Sequence, residues 1–144
     1  MNLAQLNIAT MLEPLESERM ADFVAQLAEV NAAAEAADGF VWRLKDEDGP
    51  GATSYRLLDD DDIIVNLSVW RDLESLREFV LGMSGHRAVL ARRRDWFEKA
   101  TMPMTVCWYV DVGHEPSLEE AEAMLLRLRA EGPSDGLFPF TYRD

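Results

Sequence analysis

Apolar and polar residues alternate in four stretches of this chain, and a period of two residues predicts β-strands. The four stretches are LAQLNIATM (3–11), FVWRL (40–44), IIVNLSVW (Ile63–Trp70) and MTVCWYV (104–110). The third carries Asn66 and Ser68, which would point to the same side of the strand as Trp70. The pattern therefore predicts a sheet with a polar and aromatic row on one face.

Between these strands, apolar residues recur at helical spacing. The first predicted helix follows a capping residue, Ser17, and ends at Asp38-Gly39. The others run from about Asp72 to a break at 82–85, from about His86 to Phe97, and from Ser117 to Gly132. The order β-α-β-β-α-β with an extra C-terminal helix predicts an α+β, ferredoxin-like fold in one domain, residues 1–144.

The predicted sheet has helices on one face, which leaves the other face bare. A bare apolar face is most simply covered by the same face of a second copy. We therefore expect a homodimer in which two sheets form a shared α/β barrel, with one cavity in each subunit. In this arrangement the apolar sets of the strands pack under the helices, and the polar sets face the barrel interior.

Five stretches carry a resemblance to a known family: LAQLNIA, GFVWRL, IVNLSVW, HRAVLARRRDWF and GHEPSLEEA. On these stretches the chain resembles domain-of-unknown-function family 3291. More broadly, it is similar to the dimeric α/β-barrel superfamily, which includes antibiotic-biosynthesis and haem-degrading monooxygenases. The resemblance implies the same dimeric barrel and, from the wider superfamily, oxygen chemistry without a protein-bound metal.

Charge and composition argue against two classes of binding partner, nucleic acids and membranes. The chain has 144 residues and a net charge of −13, whereas binding to nucleic acid or to an anionic membrane needs a cationic surface. The single cysteine, Cys107, excludes an intrachain disulfide. No apolar run approaches the roughly 20 residues of a membrane span, and the N-terminus lacks the pattern of a signal peptide. We expect a cytoplasmic protein with no nucleic-acid or membrane partner.

The polar row is the main candidate for a ligand site. Gln5 and Asn7 share one face of the first strand, and Asn66, Ser68 and Trp70 share one face of the third. Buried amides need hydrogen-bond partners, and an unpaired one costs roughly 1–3 kcal/mol. A bound polar ligand would supply such partners, and so would a structural amide network with water; both interpretations stay open.

Tryptophans are a second candidate feature. Trp42, Trp70 and Trp108 each come from a different predicted strand, and Trp96 lies in the third predicted helix. Large flat side chains line pockets for planar ligands, but tryptophan is also common in cores and at interfaces.

Basic residues and histidines complete the candidates. Five of the 14 basic residues lie within 86–99: Arg87, Arg92, Arg93, Arg94 and Lys99. Arginine binds carboxylates and phosphates well, but i,i+4 pairing with nearby acids favours a solvated helix face. His86 and His114 are far apart in the sequence and have no nearby cysteine, so no metal site is predicted.

The resemblance implies roles for particular residues. Haem-degrading relatives use an Asn on the first strand, a Trp on the helix after the third strand, and a His as the iron ligand. Asn7 matches the first, Phe79 stands at the second, and His86 comes a few residues early. Cofactor-independent relatives oxidise anionic aromatic substrates held near an Asn and a Trp, and Asn66 and Trp70 fit that description.

We therefore predict a homodimeric small-molecule enzyme, a monooxygenase-like oxidoreductase that needs no cofactor and acts on a planar substrate. Asn7 and Asn66 would orient the substrate, Trp70 would stack on it, and His86 would act as acid or base. Ligand contacts are predicted for Gln5, Trp42, Ser68, Phe79 and Trp108. The alternatives are a non-catalytic dimer that binds a small ligand or haem, and a structural dimer with a filled cavity.

Overall fold

The computed structural model describes residues 1–45, 58, 60–82 and 92–140. The strands in these ranges are β1 (Asn2–Thr10), β2 (Phe40–Arg43), β3 (Ile63–Trp70), β4 (Thr105–Val110) and β5 (Leu137–Phe138). The helices are α1 (Ala21–Ala36), α2 (Leu73–Gly82), α3 (Arg93–Trp96) and α4 (Leu118–Glu131), with a 3-10 turn (Glu18–Met20) ahead of α1. The four predicted strands are confirmed to within one residue at each end.

All neighbouring strands of the sheet are antiparallel, and their order is β2-β3-β1-β4-β5. The central strand β1 pairs with β3 along its length, from Leu3 opposite Trp70 to Thr10 opposite Ile63. The α+β, ferredoxin-like fold is therefore confirmed. The short edge strand β5 was not predicted, because a two-residue strand has no periodicity to detect.

Two predicted helix starts have different outcomes. The Ser117 hydroxyl accepts a hydrogen bond from the backbone N–H of Glu120 at 3.0 Å, so it caps α4 as the spacing predicts. Ser17 makes no capping bond with its side chain and precedes the 3-10 turn, so α1 begins later than predicted, at Ala21. The helix predicted from His86 to Phe97 lies partly outside the described residues. The part that is described contains the short helix α3.

The C-terminal helix α4 covers the apolar face of the sheet. Ala121, Leu125 and Leu128 of this helix are buried against it. The buried sheet residues in the same cluster include Ala4, Leu6, Ile8, Val65, Leu67, Val69, Val106 and Trp108. This face is therefore closed within a single chain, and the argument for a dimer from an uncovered sheet no longer holds. The homodimer stays a prediction.

The polar face of the sheet lies against α1 and α2. Its cluster of buried residues includes Leu3, Trp70 and Cys107 of the sheet, Ala34 of α1, and Leu76 and Val80 of α2. The expectation that the polar row faces away from these helices, into a barrel interior, is wrong. The reason is that α4 occupies the apolar face, so that α1 and α2 pack on the face that carries the polar row.

The covering role of α4 can be tested with two adjacent leucines. Leu125 is 0% exposed, whereas Leu126 is 47% exposed. We expect Leu125→Ala to lower the free energy of unfolding by about 3 kcal/mol, because it removes buried methyl groups and leaves a cavity. Leu126→Ala should change it by less than about 0.5 kcal/mol. Urea denaturation followed by circular dichroism measures both values, and equal effects would show that α4 does not pack on the sheet in solution.

Candidate functional site

A cavity of about 190 Å³ lies between the polar face of the sheet and helices α1 and α2. Its floor includes the five residues of the polar row: Gln5, Asn7, Asn66, Ser68 and Trp70. The two helices contribute apolar side chains: Phe23, Leu27, Val30 and Ala34 from α1, and Leu76, Phe79 and Val80 from α2. An apolar wall with a few placed polar groups is the usual character of a small-molecule pocket.

The polar row is joined by three hydrogen bonds. Gln5 Nε2 donates to Asn66 Oδ1 and to Ser68 Oγ, each at 2.7 Å. Trp70 Nε1 donates to the same Ser68 Oγ at 2.9 Å. Ser68 thus accepts from both sides and fixes the Gln5 amide and the Trp70 indole relative to each other. The structural amide network considered from the sequence is present, and one of the donor groups that it leaves available lies at the cavity floor.

That group is the Asn66 amide nitrogen. Asn66 lies in the middle of β3, where its neighbours Val65 and Leu67 are 7% and 1% exposed, yet its own side chain is exposed at the cavity floor. Its Oδ1 accepts from Gln5, whereas its Nδ2 donates to none of the residues that the structure describes. A side chain that lines a cavity and is held by its oxygen, with two N–H donors that bind none of the described residues, is suited to bind an acceptor atom of a ligand.

Aromatic rings form one end of the cavity. Phe79 stacks on Trp70, with ring centroids 5.2 Å apart and planes at 29°. Phe40 meets the edge of the same indole at 5.6 Å and 86°. Trp70 is only 2% exposed, and Phe79 already stacks on its ring. A ligand in the cavity would therefore contact Phe79 over a larger area than Trp70. Phe79, a ligand contact predicted from the sequence, lies in the cavity wall.

Two predicted ligand contacts, Trp42 and Trp108, lie outside this cavity. Trp42 is opposite Val69, and Trp108 is opposite Ala4, so both point to the α4 face and pack in its apolar cluster. The indole of Trp108 donates to Glu120 Oε2 at 3.0 Å. Regular alternation along β4 places Trp108 on the α4 face. Trp42 reaches the same face because of an irregularity in β2, described below.

Sequence reasoning missed Arg43, which lines the cavity beside Ser68. The pairing of β2 with β3 shifts between Phe40 and Trp42, so that Phe40 lies opposite Trp70 and Arg43 opposite Ser68. A strict period of two would put Phe40 and Arg43 on opposite faces, but the shift brings both to the cavity. No signal in FVWRL marks this irregularity in advance.

The remaining candidates lie elsewhere. His86 is outside the described residues, and its predicted role is untested. His114 contacts Glu120 Oε1 at 2.7 Å near the start of α4, away from the cavity. Arg92 forms ion pairs with Asp22 and Asp95 at 2.8 and 3.0 Å, as expected of a solvated face. Trp96 belongs to a separate cluster with Met11, Met20 and Phe23.

The described residues show neither a metal site nor a membrane span. No group of three or more histidine, cysteine or acidic side chains in that part of the chain is placed to hold a metal ion. None of the described helices combines the length and apolar character needed to cross a bilayer.

The C-terminal segment closes part of the cavity of its own chain. Phe140 lines the cavity and is 9% exposed. Its backbone N–H donates to Thr105 Oγ1 at 2.8 Å, and its carbonyl accepts from the same hydroxyl at 3.0 Å. This pair of bonds attaches the segment to β4.

Comparison with known proteins gives a family and a fold. The model of a family described as a domain of unknown function (DUF3291) matches residues 2–144, which confirms the resemblance seen in the sequence. No curated protein sequence matches the chain.

Three solved structures share the fold. The cofactor-independent oxygenase SnoaB from Streptomyces nogalater is 19% identical, with 76% of this chain and 93% of that chain covered and a TM-score of 0.52. A conserved protein from Methanosarcina mazei Go1 is 13% identical, with 76% and 93% covered and a TM-score of 0.56. Rv0793 from Mycobacterium tuberculosis is 14% identical, with 81% and 100% covered and a TM-score of 0.50. The chain thus shares the ferredoxin-like fold of these three structures.

Removing the shared acceptor of the polar row should destabilise the protein. In Ser68→Ala, Gln5 Nε2 and Trp70 Nε1 each lose a buried partner, so we expect the free energy of unfolding to fall by about 1–3 kcal/mol. Ser134→Ala, at an exposed serine, should change it by less than about 0.5 kcal/mol. Urea denaturation compares the two. An unchanged Ser68→Ala protein would mean that these bonds do not form in solution.

Cys107 provides a test of how closely the sheet is packed beneath the cavity. It lies opposite Gln5, is 0% exposed, and burial raises the pKa of its thiol to about 12. Because alkylation requires the thiolate, iodoacetamide at pH 9 should leave the native protein unmodified and modify it once urea unfolds the chain. Mass spectrometry counts the added groups. Rapid modification of the native protein would contradict the packing described here.

Proposed function

This chain belongs to the DUF3291 family, whose name assigns no activity. From the residues that line the cavity, we propose that the protein is a cofactor-independent oxygenase that inserts one oxygen atom into a small planar substrate. The observation that carries the proposal is the Asn66 side chain, which lines a cavity with mainly apolar walls and whose amide nitrogen donates to none of the described residues. The shared fold of SnoaB, described as a cofactor-independent oxygenase, supports it.

Asn66 is suited to stabilise a negatively charged oxygen of the substrate. Gln5 holds its Oδ1 at 2.7 Å, which fixes the amide plane before the substrate arrives. A donor that is already oriented loses little freedom on binding and gains strength in an apolar site. Asn7 lies opposite Asn66 on the neighbouring strand and lines the same floor, where we propose that it orients the substrate.

The reaction needs no external reductant, because the substrate supplies all four electrons that reduce dioxygen. A substrate with an acidic CH₂ group beside an aromatic ring loses a proton to give a carbanion or enolate, which transfers electrons to O₂. A C–O bond forms, the O–O bond breaks, and the products are a ketone at the former CH₂ and one water. His86 is the predicted proton acceptor.

The cavity would favour this chemistry through desolvation. Phenylalanine, leucine and valine side chains surround the polar floor, so an anionic intermediate would be shielded from protonation by bulk water. Haem has no support in the described residues, because the only histidine among them, His114, contacts Glu120 away from the cavity.

The proposal is tested by oxygen uptake with a panel of planar phenols, anthrone-type ketones and related carbon acids. One oxygen atom from ¹⁸O₂ should appear in the product and the other in water. Asn66→Ala should lower kcat by about 10²- to 10³-fold, the usual effect of removing a donor to a developing oxyanion. Its melting temperature should stay unchanged, because Asn66 is exposed and accepts a single bond.

A second variant separates the two halves of the amide. Asn66→Asp keeps an oxygen that accepts from Gln5 and removes the donor, so it should lose turnover as Asn66→Ala does. If either variant instead loses stability and keeps its activity when folded, the catalytic assignment of Asn66 is wrong. Tight binding of a compound that is recovered unchanged would favour the alternative, a non-catalytic module that binds a small ligand.

A further inference from the structure

We propose that the cavity binds two separate aromatic rings, one at each end, and that its substrates are two-ring compounds with a short polar linker. This inference rests on the proposed function, because it names the substrate class of the same cavity. The second end is formed by Phe23 and Phe97, which line the same cavity as the Trp70 end described above. Neither phenylalanine is among the ligand contacts predicted from the sequence.

The cavity is long enough for more than one ring. On β3 its floor extends from Ile64 to Trp70, which is about 20 Å of strand at about 3.3 Å per residue. On α1 its wall extends from Phe23 to Ala34, which is about 16 Å of helix at about 1.5 Å per residue. A single aromatic ring is shorter than either span, so it would occupy only one end.

The two ends are built alike, because at each a buried tryptophan lies against a half-buried phenylalanine. At the first end, Trp70 stacks on Phe79. At the second end, Trp96 is 0% exposed and meets Phe97 edge-on, with ring centroids 6.3 Å apart. Phe23 meets both of these rings, at 5.4 Å from Trp96 and 5.0 Å from Phe97. Each end therefore offers the cavity a packed aromatic surface for a ligand ring.

Backbone hydrogen bonds fix the second aromatic surface in place. The Leu12 N–H donates to the Trp96 carbonyl at 2.8 Å, and the Glu98 N–H donates to the Thr10 carbonyl at 2.9 Å. These bonds attach the chain on both sides of Phe97 to the end of β1. A wall that is already in position loses little conformational freedom when a ligand binds, which favours affinity.

Polar groups separate the two aromatic ends. Along β3 the residues that share the cavity face are Ile64, Asn66, Ser68 and Trp70, so the two polar side chains lie between the ends. The Asn66 amide nitrogen donates to none of the described residues and can bind a carbonyl in the linker of the ligand. A 1,3-diketone between two phenyl rings has such carbonyls, and its central CH₂ is the acidic carbon that the proposed oxidation requires.

The competing explanation is that Phe23 and Phe97 only form a core, and that a ligand ring binds at the Phe79 end alone. Phe79→Ala and Phe97→Ala distinguish the explanations, because each removes the half-buried ring of one end. Phe138→Ala is the matched control, since Phe138 is also half-buried and packs on the same face of the sheet but does not line the cavity.

The experiment is isothermal titration calorimetry of the full-length protein with 1,3-diphenylpropane-1,3-dione and with 1-phenylbutane-1,3-dione, which has a methyl group in place of one ring. The wild-type protein should bind the two-ring compound at least about 10-fold more tightly, because a second ring is buried. Phe97→Ala and Phe79→Ala should each reduce this preference to less than about 3-fold. Each should change one-ring binding little, because that ring can occupy the other end. Phe138→Ala should leave both affinities unchanged.

Equal binding of the two compounds by the wild-type protein, or a preference that survives in Phe97→Ala, would overturn the proposal. So would the absence of measurable binding of either compound. If Phe97→Ala does not fold, Phe97→Leu keeps an apolar side chain without a ring, and it should lose part of the preference.

Oxygen uptake is measured separately from binding. Selective binding of the two-ring compound without oxygen uptake would reject the oxygenase and retain the two-ring site. Turnover of one-ring and two-ring compounds with equal kcat/KM, unaffected by Phe97→Ala, would reject only this inference.

Discussion

The register between β1 and β3 is the constraint on which the rest of the molecule depends. It places Gln5 opposite Ser68 and Asn7 opposite Asn66, which brings the polar side chains of two strands together on one face. A slip of one residue would turn Asn66 and Ser68 toward α4, into a cluster of mainly apolar side chains. The apolar set on one face and the hydrogen-bonded row on the other both select the observed pairing.

Much of this arrangement could be predicted from the sequence. Alternation in IIVNLSVW put Asn66, Ser68 and Trp70 on a common face, and the structure shows the same grouping with the bonds between them. The order of elements gave the ferredoxin-like topology, and the spacing of Ser117 and Glu120 gave the start of α4. These features depend on local periodicity or on short contacts along the chain.

The sequence does not predict which face of the sheet each helix covers, nor to which face each side chain of β2 points. Periodicity shows that two faces differ, but not which helix covers which face. The amphipathic pattern of α4 fits either surface, and its position on the apolar side was decided by tertiary packing. The positions of Trp42 and Arg43 were missed because a single irregularity in β2 changes the side of every residue beyond it.

That irregularity makes the lining of the cavity depend on the length of a strand as well as on its sequence. Side chains that face a cavity are ordinarily exchanged by point substitution, one position at a time. In β2 the identity of the facing residue also depends on how many residues the strand has between Phe40 and Arg43. Loss or gain of one residue at this edge would exchange a guanidinium for an indole without altering Gln5, Asn66 or Ser68. A change in strand length at this point would therefore change the charge of the cavity wall while the hydrogen-bonded floor stays the same.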